Sequence, residues 1–481
     1  ERNEKMSLGQ LSRTSAQAAF CAASSYSSPT HKAGSAANPR VRYHFASRRF
    51  ARNIAMLVGT QPRRVAIVGG ARIPFARGNT AYAQVGNQEM LTAALTAVVR
   101  KYNLAGQRLG DVAAGAVMKH SSQWNLTRES VLSSGLSPQT PGVDLQRACG
   151  TSLETAILIG NKIALGQIDS GIAAGVDTVS DPPVVFPKGF QEVLMSAYRA
   201  RSAGDRIKSW LKLRPKHFKP VLPGVTEPRT GLSMGQSTEI MARKWGISRE
   251  DQDQLALESH QKAAAAYKAG FYEDLVVEYQ GLKQDNNVRA DTSIEKLAKL
   301  RPAFDSAGTL TAGNSTPMTD GAAAVLLASE EWARARNLPI LAYLSYGKVA
   351  AVDFFDKSEG LLMAPAFAVP AMLADAKLTL QDFDFYEIHE AFAAQVLCTL
   401  KAWNDPAWCR DKLGMKSALG GIDRGKLNVR GGSLALGHPF GATGARIVAS
   451  LAKILDQEKG TRGLISICTA GGMGVTAILE R

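Results

Sequence analysis

Four short segments hold the side chains best suited to covalent chemistry. The first is Cys149-Gly-Thr-Ser, between an apolar run at 142–147 and a stretch at 152–165 with apolar residues at helical spacing. A thiol at a helix N-terminus feels the positive end of the helix dipole, which favours thiolate. Taken alone, such a cysteine is more often a buried structural residue. The second runs Asn428-Val-Arg-Gly-Gly-Ser-Leu-Ala-Leu-Gly-His438-Pro-Phe-Gly-Ala-Thr-Gly-Ala-Arg446. Five glycines within 14 residues suit a loop with unusual backbone angles and close ligand approach. A histidine in such a loop can deprotonate a nearby thiol. The third, Cys468-Thr-Ala-Gly-Gly-Met-Gly474, ends an apolar run and can offer backbone N–H groups to an oxyanion. Its cysteine can move protons at a substrate carbon. The fourth, His389-Glu-Ala-Phe, follows a strand-like run at 383–388. It reads either as a pair that polarises a carbonyl or holds a water, or as a helix start with Glu390 in the first turn.

These loops need a frame. Residues 65–68 are an apolar run ending in Gly69-Gly70, a buried strand and turn. A helix is expected over 90–102, strands over 111–117, 142–147 and 170–176, and a helix over 152–165. Alternating strands and helices imply α/β layers around a largely buried sheet. The order strand, reactive loop, helix, glycine-bounded strand occurs around Cys149 and again around His438, so a duplicated α/β unit is expected, with the two loops meeting at one interface. Residues 184–300 break the alternation. Arg201, Arg206, Lys208, Lys212, Arg214, Lys216 and Lys219 crowd a stretch interleaved with Trp210, Leu211, Leu213 and Phe218. This run is either a solvated face or a surface for phosphates, a partner subunit or a membrane. A helix over 249–268 follows it.

Composition narrows the class. The chain has 481 residues, enough for more than one domain. Its net charge of +15 is concentrated at one end: residues 1–64 carry eleven Lys/Arg against two Glu, leaving 46 against 40 for the rest. The body is mildly basic and has no nucleic-acid-binding motif, so no nucleic-acid partner is expected. A phosphate-bearing small molecule fits that surplus. Cys21, Cys149, Cys398, Cys409 and Cys468 have no metal-ligand spacing and point to a reducing compartment. No apolar run reaches the ~20 residues of a membrane span. Residues 1–62, Ser/Arg-rich and acid-poor, read as a targeting-like, disordered or non-native extension outside the fold.

The four loops, in this order, resemble those of the thiolase superfamily. The resemblance extends to Met234-Gly235 and to the segment from Ala312 through Ala323, and covers residue 64 to the C-terminus. It implies a thiolase fold: a duplicated five-layer α/β/α/β/α arrangement, with halves at 63–183 plus 301–332 and at 333–481 and an inserted cap at 184–300. His389 stands where commoner members carry asparagine. That substitution, with the long segment 401–426, resembles the branch holding bacterial fatty-acid oxidation thiolases and the trifunctional-enzyme β-subunit. Ala470 replaces the family's usual glycine and keeps its N–H.

The resemblance implies cleavage of 3-ketoacyl-CoA with CoA, or the reverse condensation to acetoacetyl-CoA, through an acyl-cysteine. Cys149 would be the nucleophile, His438 its base, and Cys468 the acid and base at the α-carbon. His389 with His438 would form one oxyanion site, and the N–H groups of Cys149 and Ala470 the other. Met234, Gly313 and Thr316 match positions flanking the pantetheine arm. CoA would be a co-substrate, with no tightly bound cofactor or metal. A homodimer or tetramer, and a complex with a hydratase/dehydrogenase subunit, would follow. The compartment would be the bacterial cytoplasm, or the mitochondrial matrix if 1–62 is a transit segment. The alternatives are a decarboxylating ketoacyl synthase, which lacks the second cysteine, and a non-catalytic lipid-binding relative.

Overall fold

The computed structural model describes residues 62–224, 226–355 and 359–481. The expectations for residues 1–61 and for Cys21 lie outside them. Ten strands form the frame: β1 (Val65–Arg72), β2 (Ala76–Arg77), β3 (Asp111–Ala114), β4 (Gly142–Asp144), β5 (Ser170–Asp177), β6 (Thr319–Ser329), β7 (Ala342–Ala351), β8 (Phe385–Ile388), β9 (Arg462–Thr469) and β10 (Met473–Glu480). The helices that matter to the site are α1 (Asn87–Lys101), α2 (Thr151–Ala164), α3 (Lys188–Arg199), α4 (Ala203–Trp210), α5 (Met234–Lys244), α6 (Arg249–Lys268), α7 (Pro365–Ala376), α8 (Ala393–Trp403) and α9 (Thr443–Glu458).

The strand order is β4-β3-β5-β6-β1-β7-β10-β9-β8, with β2 paired to β6. It contains the expected duplication. In the first half β3 and β5 are parallel, and β6 and then β1 follow antiparallel. In the second half β8 and β9 are parallel, and β10 and then β7 follow antiparallel. Even β4, which leads to Cys149, has a counterpart in the parallel Tyr386↔Leu427 bridge, which leads to the His438 loop. Within the sheet the halves join through β1 and β7 at Ala66↔Tyr343 and Ile67↔Ala342.

Helices α2 and α9 pack against each other and against strands of both halves, forming the central layer; α1 covers the outer face of the first half and α7 that of the second. The alternation of side chains along a strand explains why β1, β5 and β6, covered on both sides, are apolar on both faces, whereas β7 is largely exposed. In β6, Ala323, Val325 and Leu327 enter the central core with Leu153, Ile159, Val448 and Leu451. Ala322, Ala324, Leu326 and Ala328 enter the outer core with Leu91, Leu95 and Val98 of α1.

Several element ends differ from expectation for local reasons. β1 does not turn at Gly69-Gly70 but continues to Arg72, bulging between Ile67 and Gly69. Gly69 has φ +139°, and Gly70 has the Ala324 carbonyl and Ala449 where a Cβ would sit. The glycines let the strand pass between two packed neighbours rather than end. β3 stops at Ala114, where Gly115 passes over the Leu145 carbonyl. β4 stops at Asp144, and Ala148 takes φ +43°. A left-handed alanine costs about 1–2 kcal/mol, and it turns the chain sharply just before Cys149.

Glycines also bring the reactive loops together. A Cβ on Gly444 would lie 2.2 Å from the Leu153 nitrogen, and one on Gly441 would lie 2.7 Å from the Val176 carbonyl and 2.8 Å from that of Gly115. The Ala445 N–H donates to Ser152 Oγ at 2.8 Å, so the first turns of α2 and α9 touch. The buried Asp177 carboxylate accepts from the N–H groups of Val117, Met118 and Gly441. Gly441→Ala should therefore cost about 1–3 kcal/mol through overpacking against fixed backbone. Gly204→Ala, whose Cβ would meet only Ser202 Oγ at 3.9 Å within helix α4, should be neutral or slightly stabilising. Chemical denaturation midpoints of the two variants check this.

Candidate active site

Parallel strands send their C-terminal ends the same way, and clefts in α/β proteins form there. The reactive loops leave the C-terminal ends of β4, β8 and β9 and the Leu427 bridge. The His389 N–H donates to the Ser466 carbonyl at 2.8 Å, which places it beside the strand carrying Cys468. The His438 N–H donates to Thr319 Oγ1 at 2.7 Å. Sγ of Cys149 and a ring nitrogen of each of His389 and His438 lie within 4.8 Å of one another. The imidazole centroids are 4.1 Å apart. Both histidines are buried, and each has a buried Nε2 without a hydrogen-bond partner among the described residues. A nucleophile and two unpartnered nitrogens facing one space suit attack on a polarised carbonyl.

Burial sets the protonation states. It pushes the Cys149 thiol up to about 12, against the Ala470 N–H and its own N–H, which pull it down. The Asp177 carboxylate adds to the upward push. The helix end favours thiolate, but desolvation outweighs it, so the thiol keeps its proton until His438 takes it. Burial, and then the Arg446 charge, hold His438 down to about 3. Burial, His438 and Arg446 hold His389 well below the ordinary histidine range. Burial, and then the Cys149 thiol, push Cys468 up, which places the two sulfurs in one electrostatic environment. The resting pair is thiol and neutral imidazole, so the proton must move as the sulfur attacks.

His438 Nδ1 lies 2.6 Å from Thr443 Oγ1, whose own proton has the Pro439 carbonyl at 3.3 Å. This network assigns N–H to Nδ1 and a lone pair to Nε2, the form a general base needs. Ala470 offers its N–H to Cys149 Sγ. The next N–H, of Gly471, donates to Glu227 at 2.7 Å, so a side chain from the segment between β5 and β6 holds the Cys468 loop in place.

Glu390 does not start a helix; α8 begins at Ala393. Its buried carboxylate accepts from Ser259 Oγ, Asn428 Nδ2 and the Leu434 N–H, joining the His389 and His438 loops through α6. Thr316 donates to the Ser433 carbonyl at 2.8 Å, and its N–H donates to the Ala391 carbonyl, so it bridges two catalytic loops. Gly313 lines a cavity of about 370 Å³ with Ser315 and Leu434, neighbours of Thr316 and Ser433. Arg77, Arg289 and Lys296 line it together with Asp291, which pairs with Lys296 at 2.7 Å, so the net charge of the lining is positive through the two arginines. Met234 begins α5 and packs on the outer core of the second half.

The basic run at 201–219 does not line this cavity. It spans α4 and the turn after it, next in the chain to α3, and on these elements Leu194, Tyr198, Ile207, Leu211 and Phe218 are exposed. Cys398 and Cys409 are buried within their helices. Sequence reading missed Ser433, Thr443, Arg446, Thr319 and Glu227 as partners. The visible signal for three of them was a polar side chain set in an otherwise apolar glycine loop or helix start.

Two family models match. The "Thiolase, N-terminal domain" covers residues 65–331, and the "Thiolase, C-terminal domain" covers residues 338–481. A 3-ketoacyl-CoA thiolase from Yersinia pestis (strain Pestoides F) is 40% identical over 431 residues, 88% of this chain and 98% of the relative. The acetyl-CoA acetyltransferase of Bacillus anthracis superposes with a TM-score of 0.72 at 29% identity, over 88% of this chain and 100% of that one. Human mitochondrial 3-ketoacyl-CoA thiolase in complex with CoA superposes with a TM-score of 0.72 at 27% identity, over 87% and 98%. With both halves matched in order and the reactive loops converging on one cleft, the chain belongs to the thiolase family of acyltransferases.

Proposed function

We propose that this chain cleaves 3-ketoacyl-CoA with CoA to acetyl-CoA and a shortened acyl-CoA, and runs the reverse condensation at the same site. The observation that carries the reading is the convergence of Cys149 Sγ with the two histidines beside the Ala470 N–H. His438 Nε2 takes the thiol proton as Cys149 sulfur bonds to the keto carbon. The C2–C3 bond breaks, its electron pair stays on the departing acetyl-CoA enolate, and Cys468 protonates C2. An acyl-Cys149 thioester remains, and CoA, deprotonated by Cys468, displaces it. His389 and His438 face one developing oxyanion, and the N–H groups of Cys149 and Ala470 the other.

The cavity beside Gly313 is the proposed CoA site. Arg77, Arg289 and Lys296 suit its phosphates, and the cavity opens next to the Thr316 bridge. Met234 would border the arm from α5. In this reading 184–300 is a cap inserted between halves at 63–183 plus 301–332 and 333–481. The protein would act as a dimer or tetramer, in complex with a hydratase/dehydrogenase subunit that delivers its keto substrate. The exposed face of α3 and α4 is the docking candidate, and its charge makes the association salt-sensitive. No helix among the described residues is long and apolar enough to cross a membrane. The proposed compartment is the bacterial cytoplasm, or the mitochondrial matrix if 1–62 directs import.

The test is CoA-dependent loss of the 3-ketoacyl-CoA enolate absorbance, from acetoacetyl-CoA through longer chains. Turnover should require CoA and yield acetyl-CoA. Malonyl-dependent condensation without thiolysis would replace the reading by a decarboxylating synthase.

A further inference from the structure

Two histidines facing one reacting centre are useful only if one presents a proton and the other a lone pair. Neutral imidazole carries a single N–H, so the partner of Nδ1 decides what Nε2 offers. Around His389 that partner is Ser433, whose Oγ lies 2.8 Å from Nδ1. Ser433 is fully buried, so its hydroxyl proton needs an acceptor. Arg446 Nη2 lies 2.9 Å from the same oxygen and can only donate to it. Arg446 is itself buried and held by Glu387 at 3.5 Å. Among the described residues, no other acceptor is in reach of the hydroxyl, which leaves His389 Nδ1.

We propose that Ser433, polarised by Arg446, is a positioning residue that fixes His389 as the Nε2–H tautomer, so that His389 donates where His438 accepts. The two rings are thereby set in opposite states by opposite partners. Thr443 Oγ1 accepts a hydrogen bond from His438 Nδ1–H, and the Ser433 hydroxyl donates one to His389 Nδ1. The contrast also suits the 4.1 Å ring separation, at which two lone pairs facing one space would repel. The catalytic consequence rests on the thiolase reading above; the tautomers themselves do not.

The loss of Ser433 frees His389 to place its proton on Nδ1, which turns a lone pair toward the oxyanion. Ser433→Ala should lower kcat with acetoacetyl-CoA by about 10²-fold, the scale of one lost oxyanion donor, while KM stays within about two-fold. The rate of Cys149 alkylation by iodoacetamide should be unchanged, because the His438–Thr443 pair is untouched. A purely structural role would move both rates together. Ser433→Thr, which keeps the hydroxyl, should recover most of kcat. Independently, 15N-histidine NMR of the unmodified chain should show His389 protonated at Nε2 and His438 at Nδ1, with signals assigned by loss in His389→Gln and His438→Gln.

A wild-type His389 protonated at Nδ1 would overturn the proposal, as would an unchanged kcat in Ser433→Ala. Lack of any thiolysis by the wild type would instead sink the functional reading and leave the tautomer assignment to the NMR. The NMR needs no variant of Ser433, so misfolding of Ser433→Ala leaves the proposal testable.

Discussion

Cys149→Ala abolishes thiolysis in the expected result, lowering kcat by at least about 10⁴-fold. The mechanism runs through a covalent thioester, and among the described residues no other cysteine is placed to replace this one. Cys468 sits in the same environment, but its thiol is buried and is pushed further up by Cys149. Cys398 is buried in α8, and Cys409 Sγ is tied to the carbonyls of Ala402 and Trp403. Intact-mass spectrometry after mixing with acetoacetyl-CoA and no CoA should show an acetyl adduct on the wild type and none on the variant. The substitution removes one atom from a part-buried site, so the fold should survive. Normal turnover by the variant would end the proposed mechanism. CoA binding should persist, because the cations beside Gly313 do not depend on the sulfur. Retained affinity with lost chemistry separates the nucleophile from the binding site.

The same residues show what a linear chain reveals. The reactive loops were legible because their chemistry is written locally: a cysteine before small residues, a histidine among glycines, a second cysteine before another glycine run. The helices were legible because apolar spacing persists over several turns, and α6 falls at the expected 249–268. The ends of β3 and β4 were not, because they depend on how closely other strands pass, as at Gly115 over the Leu145 carbonyl. The cationic cavity was also hidden. Arg77, Arg289 and Lys296 come from distant stretches, whereas the conspicuous run at 201–219 clusters in sequence but lies elsewhere. Sequence shows charge density along the chain, and a ligand meets charge density in space.

The electrostatic setting of the sulfur was the least legible feature, and it has a mechanistic consequence. A helix end argues for thiolate, yet that term is worth only about 0.3–1 kcal/mol near the surface. Desolvation is a property of the assembled core and cannot be read from residues near Cys149. Here it holds the thiol protonated and both histidines neutral. A neutral resting site holds almost no free thiolate, so the sulfur reacts only as a base takes its proton. That base then carries the full burden of activation, which makes His438 the second residue whose loss should be severe.

His438→Gln should lower kcat/KM by about 10²- to 10⁴-fold, the contribution of a positioned general base. Its pH dependence should change as well as its size. In the wild type His438 is protonated only below about 3, and Cys149 ionises only near 12. The base function of His438 is therefore lost on the acid side only as pH falls through that low value. From about pH 5 to 9 the wild-type rate of Cys149 alkylation should be flat, because the base is always available and the thiol always intact. Without the base only free thiolate reacts. Far below a pKa near 12, thiolate rises about tenfold per pH unit, so log rate in the variant should climb with a slope near one. A preformed thiolate–imidazolium pair predicts the reverse for the wild type, namely fast alkylation at low pH that shows a limb as the pair loses its proton. Iodoacetamide rates measured across that range on both proteins decide between concerted activation in a dry site and an ion pair waiting at rest.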